Sequence, residues 1–160
     1  MTRRLIVSCL AFALNALPAA AAAPNSFGLR GGLSLGPDQF VIGAQMLAYE
    51  FSPRVRLKPN VEVGFGNNLT LIDLGGAVDY AFGDVDMGGF TPYAGGELGL
   101  IMWRWSEPFL GVSASSTELS LSGLVAVSRP IDGDIDLFFQ LEVGISSHSP
   151  DLKFIAGVDF

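Results

Sequence analysis

The chain has 160 residues, among them 20 glycines and 9 prolines, with 16% charged residues and a formal net charge of −7. That length suits one domain, because either half alone would bury too little apolar surface to be stable. A mean hydropathy of +0.44 with so few charges excludes a disordered chain and, with the acidic balance, a protein that seeks nucleic acid.

Residues 1–22 read as a cleaved signal peptide. Arg3 and Arg4 precede an apolar run from Leu5 to Leu17, and Pro18 is followed by alanines through Ala23, with the cut placed after Ala22. The chain's single cysteine, Cys9, lies in that run, so residues 23–160 carry no disulfide framework. Removing two arginines and no acids leaves 7 basic against 16 acidic residues, a net of −9. No later apolar stretch reaches the roughly 20 residues that a membrane helix needs. A membrane-inserted form of this chain must therefore cross with strands.

Period-2 alternation runs through the rest. Segments 27–35, 39–51 and 57–66 are weak, and the faces of the second are the least defined. Residues 69–82 place Thr70, Ile72, Leu74, Val78, Tyr80 and Phe82 opposite Asp73, Gly75, Ala77 and Asp79. Residues 93–102 set Ala94, Leu98, Leu100 and Met102 against Tyr93, Gly95, Glu97 and Gly99, and 117–127 set Leu119, Leu121, Val125 and Val127 against Glu118, Ser120 and Ser122. In 134–146, Ile135, Leu137, Phe139, Leu141, Val143 and Ile145 oppose Asp134, Asp136, Gln140 and Glu142, with Phe138 out of pattern. Residues 152–160 close the series. Turn formers separate the segments, such as Gly36-Pro37-Asp38, Ser52-Pro53, Gly83-Asp84, Asp132-Gly133 and Ser149-Pro150-Asp151. A single connection, Ser106 to Ser116, is long enough to be a loop. The 138 residues left after cleavage (160 − 22) give about 17 for each of eight segments, enough for a spanning strand and a short connection. The expectation is an all-β, eight-stranded antiparallel up-and-down transmembrane β-barrel over residues 23–160.

Alternation does not say which face meets water. Only Lys58 and Lys153 are lysines, and the polar faces hold Gly64, Gly75, Gly95, Gly99 and Gly144, which suits a cramped lumen better than a soluble exterior. Aromatics cluster toward two rims: Phe27, Tyr49, Phe51, Tyr80, Phe82, Phe90 and Phe160, and Phe40, Phe65, Trp103, Trp105 and Phe109. Two such belts match the two interfaces of a bilayer.

The final LKFIAGVDF, with Phe154, Val158 and Phe160 on one face, resembles the carboxy-terminal insertion signal of bacterial outer-membrane barrels, although Val158 stands where a second aromatic is common. TPYAGGELGL at 91–100 is similar to a strand of the small OmpA/OmpX-type barrels. The resemblance implies residence in the outer membrane, contact with its lipid and lipopolysaccharide, and handling by the barrel-assembly machinery. It carries no specific role, because such barrels serve as anchors, adhesins and lipid A enzymes.

The expected interior is a polar network of Arg30, Glu62, Asp73, Asp79, Glu97, Glu118, Asp136, Gln140, Glu142 and Lys153, whose charges must be paired, hydrated or protonated. With the lumen so filled, no open pore is expected. His148, the sole histidine, sits beside Ser147 and Ser149, but adjacent residues of an extended chain point apart, so no catalytic residue is assigned. The acid-rich stretches Asp84-x-Asp86 and Asp132-Gly-Asp134 read as turns and not as metal loops. Trp103-Arg-Trp reads as an interface belt with a snorkelling arginine, or as a surface contact. The expectation is a monomeric barrel with a structural or surface-interaction role, without cofactor or enzymatic activity. Two readings stay open beside it: a lipid A deacylase or acyltransferase built on His148, and a soluble periplasmic barrel holding a small apolar ligand.

Overall fold

The computed structural model describes residues 26–66, 69–85, 87–107 and 112–160. The expected signal peptide over 1–22, and the boundary at 23, lie outside the described residues. Nine strands form one sheet: β1 (Phe27–Leu35), β2 (Gln39–Met46), β3 (Tyr49–Ser52), β4 (Val55–Gly66), β5 (Leu69–Ala81), β6 (Thr91–Glu107), β7 (Val112–Asp132), β8 (Ile135–Gly144) and β9 (Leu152–Asp159). Every neighbouring pair is antiparallel, and the ring closes where β1 pairs with β9, from Gly28 opposite Asp159 to Leu35 opposite Leu152. Phe27 and Phe160 exchange both backbone hydrogen bonds beyond the last pair, at 2.9 and 2.7 Å. Closure leaves the barrel proper without an unpaired edge. Among the described residues there is no helix long and apolar enough to cross a membrane.

The ring contains eight strands, because β3 only continues the path of β2. This corrects the expected single segment over 39–51. The run breaks at Leu47 and Ala48, where β1 ends as a neighbour: the Leu47 amide donates to the Ser26 carbonyl and that of Ala48 to Leu57. The expected loop from Ser106 to Ser116 is also corrected. β6 and β7 stay paired out to Glu107 opposite Val112. A backbone ladder needs no apolar alternation, and so the serine-rich stretch gave no strand signal. The longer connections are 82–90, at the end carrying the chain termini, and 145–151, at the other end. At the turn joining β7 to β8, Gly133 has φ +52°, a left-handed conformation that suits a glycine in a tight hairpin.

Outward positions are apolar all the way round. Leu33, Leu98, Leu119 and Phe154 are 50 to 62% exposed, whereas the inward Arg30, Glu62 and Glu142 are 5% exposed or less. Inside and outside are thus inverted relative to a water-soluble domain. Exposed aromatics stand near both ends, Phe27, Phe51, Tyr80, Phe82 and Phe160 near the termini and Phe40, Phe65 and Trp105 opposite. Edge-on pairs tie Tyr49 to Phe51 and Tyr80 to Phe82 along the first belt. Trp103 and Trp105 both have the inward parity of the fully buried Ile101, which departs from the belt reading, although Trp105, near the strand end, is 39% exposed. Phe109 lies outside the described residues.

Candidate functional site in the barrel lumen

Every lumen side chain projects from one parity of its strand, so the strands of the ring deliver polar and charged groups to a common interior. The central tier is built on Arg30 from β1. Its Nε lies 2.7 Å from Glu62 Oε1 of β4, its Nη2 2.9 Å from Glu142 Oε1 of β8, and its Nη1 donates to Gln45 Oε1 of β2. Lys153 of β9 bridges the same two acids, 2.9 Å from Glu62 and 2.7 Å from Glu142. Its ammonium stands farther from Asp73 and Glu97, at 3.7 and 3.8 Å. Gln140 Nε2 donates to Glu142 Oε1 at 2.6 Å and Asn60 Nδ2 to Glu97 Oε2 at 2.9 Å.

A second tier lies toward the termini. The Arg56 guanidinium makes a two-point contact with Asp79 at 2.8 and 3.1 Å and stacks 3.9 Å from the centre of the Tyr93 ring. Lys58 sits between Asp79 and Asp159, at 3.8 and 3.7 Å, and Gln45 Nε2 donates to Asp159 Oδ1 at 2.7 Å. Two cations face two carboxylates, so this tier is balanced. The central tier sets Arg30 and Lys153 against Glu62, Asp73, Glu97 and Glu142, an excess of two negative charges.

Arg30, Glu62, Asp73, Glu97, Gln140, Glu142 and Lys153 therefore meet in one network, with Asp79 one tier away. Glu118 does not join it. It lies on the lip opposite the termini, 3.2 Å from His148 Nε2, with both side chains partly exposed. Asp136 is half-buried opposite Asp159 in the β8–β9 register and has no ion pair among the described residues. Phe154, Val158 and Phe160 face outward on the closing strand. The Ser149 hydroxyl is 2.8 Å from that of Ser146 and bonds to the Leu121 backbone, while His148 faces Glu118. Asp84 pairs with Arg54 at the surface, and Asp86 lies outside the described residues.

The sequence reading missed Gln45, Arg56, Lys58, Asn60 and Asp159. Once Glu62 is set inward, parity alone places Arg56, Lys58 and Asn60 with it, and Asp159 alternates with Phe160 in the same way. Apolar groups share the lumen as well: Val41, Leu71, Ile101, Leu124, Phe138 and Ile155 are buried, which explains why Phe138 breaks the alternation of β8. Side chains fill this interior.

These features define a closed, eight-stranded up-and-down barrel with an apolar wall and a charged, plugged lumen. No protein-family model matches the chain, and no curated protein matches its sequence. Solved structures do match its fold. The Neisserial surface protein A is similar at 17% identity and a TM-score of 0.58, over 84% of this chain and 92% of that one. The N-terminal β-barrel domain of Pseudomonas aeruginosa OprF is similar at 14% identity and 0.63, over 85% and 95%. The Yersinia pestis outer membrane protein Ail, solved in a phospholipid bilayer nanodisc, is similar at 10% identity and 0.51, over 86% and 99%.

Proposed function

We propose that the protein is an exported, monomeric barrel of the bacterial outer membrane, with a structural or surface-interaction role, no open pore and no enzymatic activity. The observation that carries the reading is the continuous ring of exposed Leu, Val, Ile and Phe around a lumen that holds the charges. Water would penalise such a surface at every strand, and hydrocarbon would not. The likeness in fold to outer-membrane barrels supports the same placement. Its surroundings are then outer-membrane lipid and lipopolysaccharide, reached through the barrel-assembly machinery.

The surface-interaction role draws on the β6–β7 hairpin. β8 pairs with β7 only from Ser122 onward, and Leu121 bonds to the 145–149 turn, so β7 from Val112 to Ser120 has β6 alone beside it in the ladder. An edge of this kind can accept a partner strand.

Electrophoresis of unboiled against boiled detergent-solubilised protein, with fractionation of carbonate-washed membranes, tests the placement. A heat-dependent mobility shift and retention in the outer-membrane fraction are expected. A soluble periplasmic pool with one mobility would contradict the reading, and altered lipid A acylation on expression would favour the enzyme.

The closing strand yields a second expectation. Deleting Phe160 removes an outward aromatic and both backbone bonds to Phe27. Export through the inner membrane should continue while outer-membrane abundance falls and periplasmic degradation products rise, as read by immunoblotting of fractions. A soluble barrel would tolerate the loss, since terminal residues are usually dispensable unless tied down.

A further inference from the structure

Basic side chains are scarce after residue 22, and nearly all have partners. Arg30, Arg56, Lys58 and Lys153 pair with lumen acids, Arg54 pairs with Asp84, and Arg129 lies 5.6 Å from the centre of the Phe90 ring. The exposed Arg104 has no ion pair, hydrogen bond or ring contact among the described residues.

Its place on the wall is specific. On β6 the buried Glu97 and Ile101 mark the inward parity, so Arg104 points outward with Leu98 and Met102. The registers of β2 and β4 to β7 align Phe40, Phe65, Thr70, Arg104 and Ser115 on that face. Phe40 and Phe65 are exposed members of the belt far from the termini. Along one level of the wall, the belt thus passes into an arginine set between two hydroxyls.

One step nearer mid-wall, the same registers align Ile72, Met102 and Thr117. Thr70, Ile72, Met102, Arg104, Ser115 and Thr117 line a hollow of about 660 Å³. Cβ atoms directly opposite on adjacent strands stand about 5 Å apart, so hydroxyls on both sides can reach a group held by the guanidinium. The acids nearest along these strands, Asp73 and Glu118, have the opposite parity. No carboxylate among the described residues competes for the guanidinium on this face.

We propose that this hollow binds a phosphate of a membrane glycolipid, the lipid A of lipopolysaccharide. An arginine fork matches phosphate oxygens, and hydroxyls both donate to and accept from phosphate and sugar. Ile72 and Met102 offer the adjoining acyl chain an apolar surface. Eight strands return the chain to the side it entered from, so the end where β1 starts and β9 stops faces the periplasm. Arg104 then stands at the outer leaflet, where that glycolipid lies. The site rests on the outer-membrane placement and gives it a specific ligand.

The test is native mass spectrometry of the detergent-solubilised, heat-modifiable barrel, titrated in parallel with diphosphoryl lipid A, the same lipid freed of phosphate, phosphatidylglycerol and inorganic phosphate. One diphosphoryl lipid A should bind per barrel, about tenfold more tightly than either other lipid, and millimolar inorganic phosphate should not displace it. Arg104→Gln should weaken binding about tenfold through loss of charged hydrogen bonds, and Arg104→Lys, which keeps the charge without the fork, should fall between. Arg129→Gln, outward at the opposite end, should leave it unchanged. Equal binding of phosphorylated and dephosphorylated lipid, or equal binding by folded Arg104→Gln protein, would overturn the site. Equal binding of phosphatidylglycerol, or displacement by inorganic phosphate, would overturn the glycolipid as its ligand. Because all barrels are compared folded in one detergent, failure of the membrane placement shows in the fractionation above and failure of the site shows here.

Discussion

Replacing Lys153 with methionine lowers the unfolding free energy of the barrel by about 3 to 5 kcal/mol, the usual cost of breaking a buried ion pair from one side. The ammonium lies 2.7 to 3.8 Å from Glu142, Glu62, Asp73 and Glu97. Methionine keeps the stem but leaves Arg30 as the only cation beside these acids. Denaturant unfolding of the folded protein in lipid vesicles, followed by the heat-dependent mobility shift, reads the difference. Asp73→Asn should act in the opposite sense, since it removes one of two surplus charges while preserving shape. A neutral Lys153→Met together with a destabilising Asp73→Asn would show that charge compensation does not hold the tier.

Adjacent residues on β8 provide the second large effect. Leu141 shares the outward parity of the exposed Phe139 and Val143, and Gln140 points inward, where its amide donates to Glu142 at 2.6 Å. Leu141→Arg puts a guanidinium among hydrocarbon chains at mid-wall, at a cost of about 2 to 4 kcal/mol. Gln140→Arg brings the same group to a tier with an excess of carboxylates and should cost far less, within the limits of space. Outer-membrane yield and unfolding midpoint should both rank the variants in that order. Because a soluble barrel would also suffer from Leu141→Arg, Leu98→Lys and Leu121→Lys serve as companions: only in a lipid-facing wall do they fail at insertion.

Much of this arrangement is legible in the alternation of single strands. Asp73 and Asp79 against Ile72, Leu74 and Val78 already assign the faces of β5, because a strand inverts its side chains at every residue. The same parity identifies Arg30 and Lys153 as interior cations. What stays hidden is the relation between strands. The split between β2 and β3 follows from where β1 ends, and the pairing of Gly75 with Gly99 follows from the β5–β6 register; neither is a property of one segment. Lys58 is hidden because 57–66 alternates weakly, with Pro59 and Gly64 diluting the pattern, and Arg56 because β4 begins two residues before that segment. The length of the β6–β7 hairpin was invisible for a different reason. Ser115 and Ser116 are exposed there, so no apolar rhythm marks the stretch.

The account rests on the apolar face turning toward lipid and the charged face toward the lumen. The most direct measurement uses single cysteines, in a chain from which Cys9 is removed, at the outward Leu98, Leu119 and Phe154 and at the inward Ser122 and Gln140. Spin labels on these sites, with the barrel in lipid vesicles, are compared for collision with membrane-soluble oxygen and with a water-soluble nickel chelate. The outward labels should collide with oxygen and be shielded from nickel, and the inward labels should be shielded from oxygen. Free nickel access at Leu98, Leu119 and Phe154 in folded protein would mean that the wall faces water and would contradict the account.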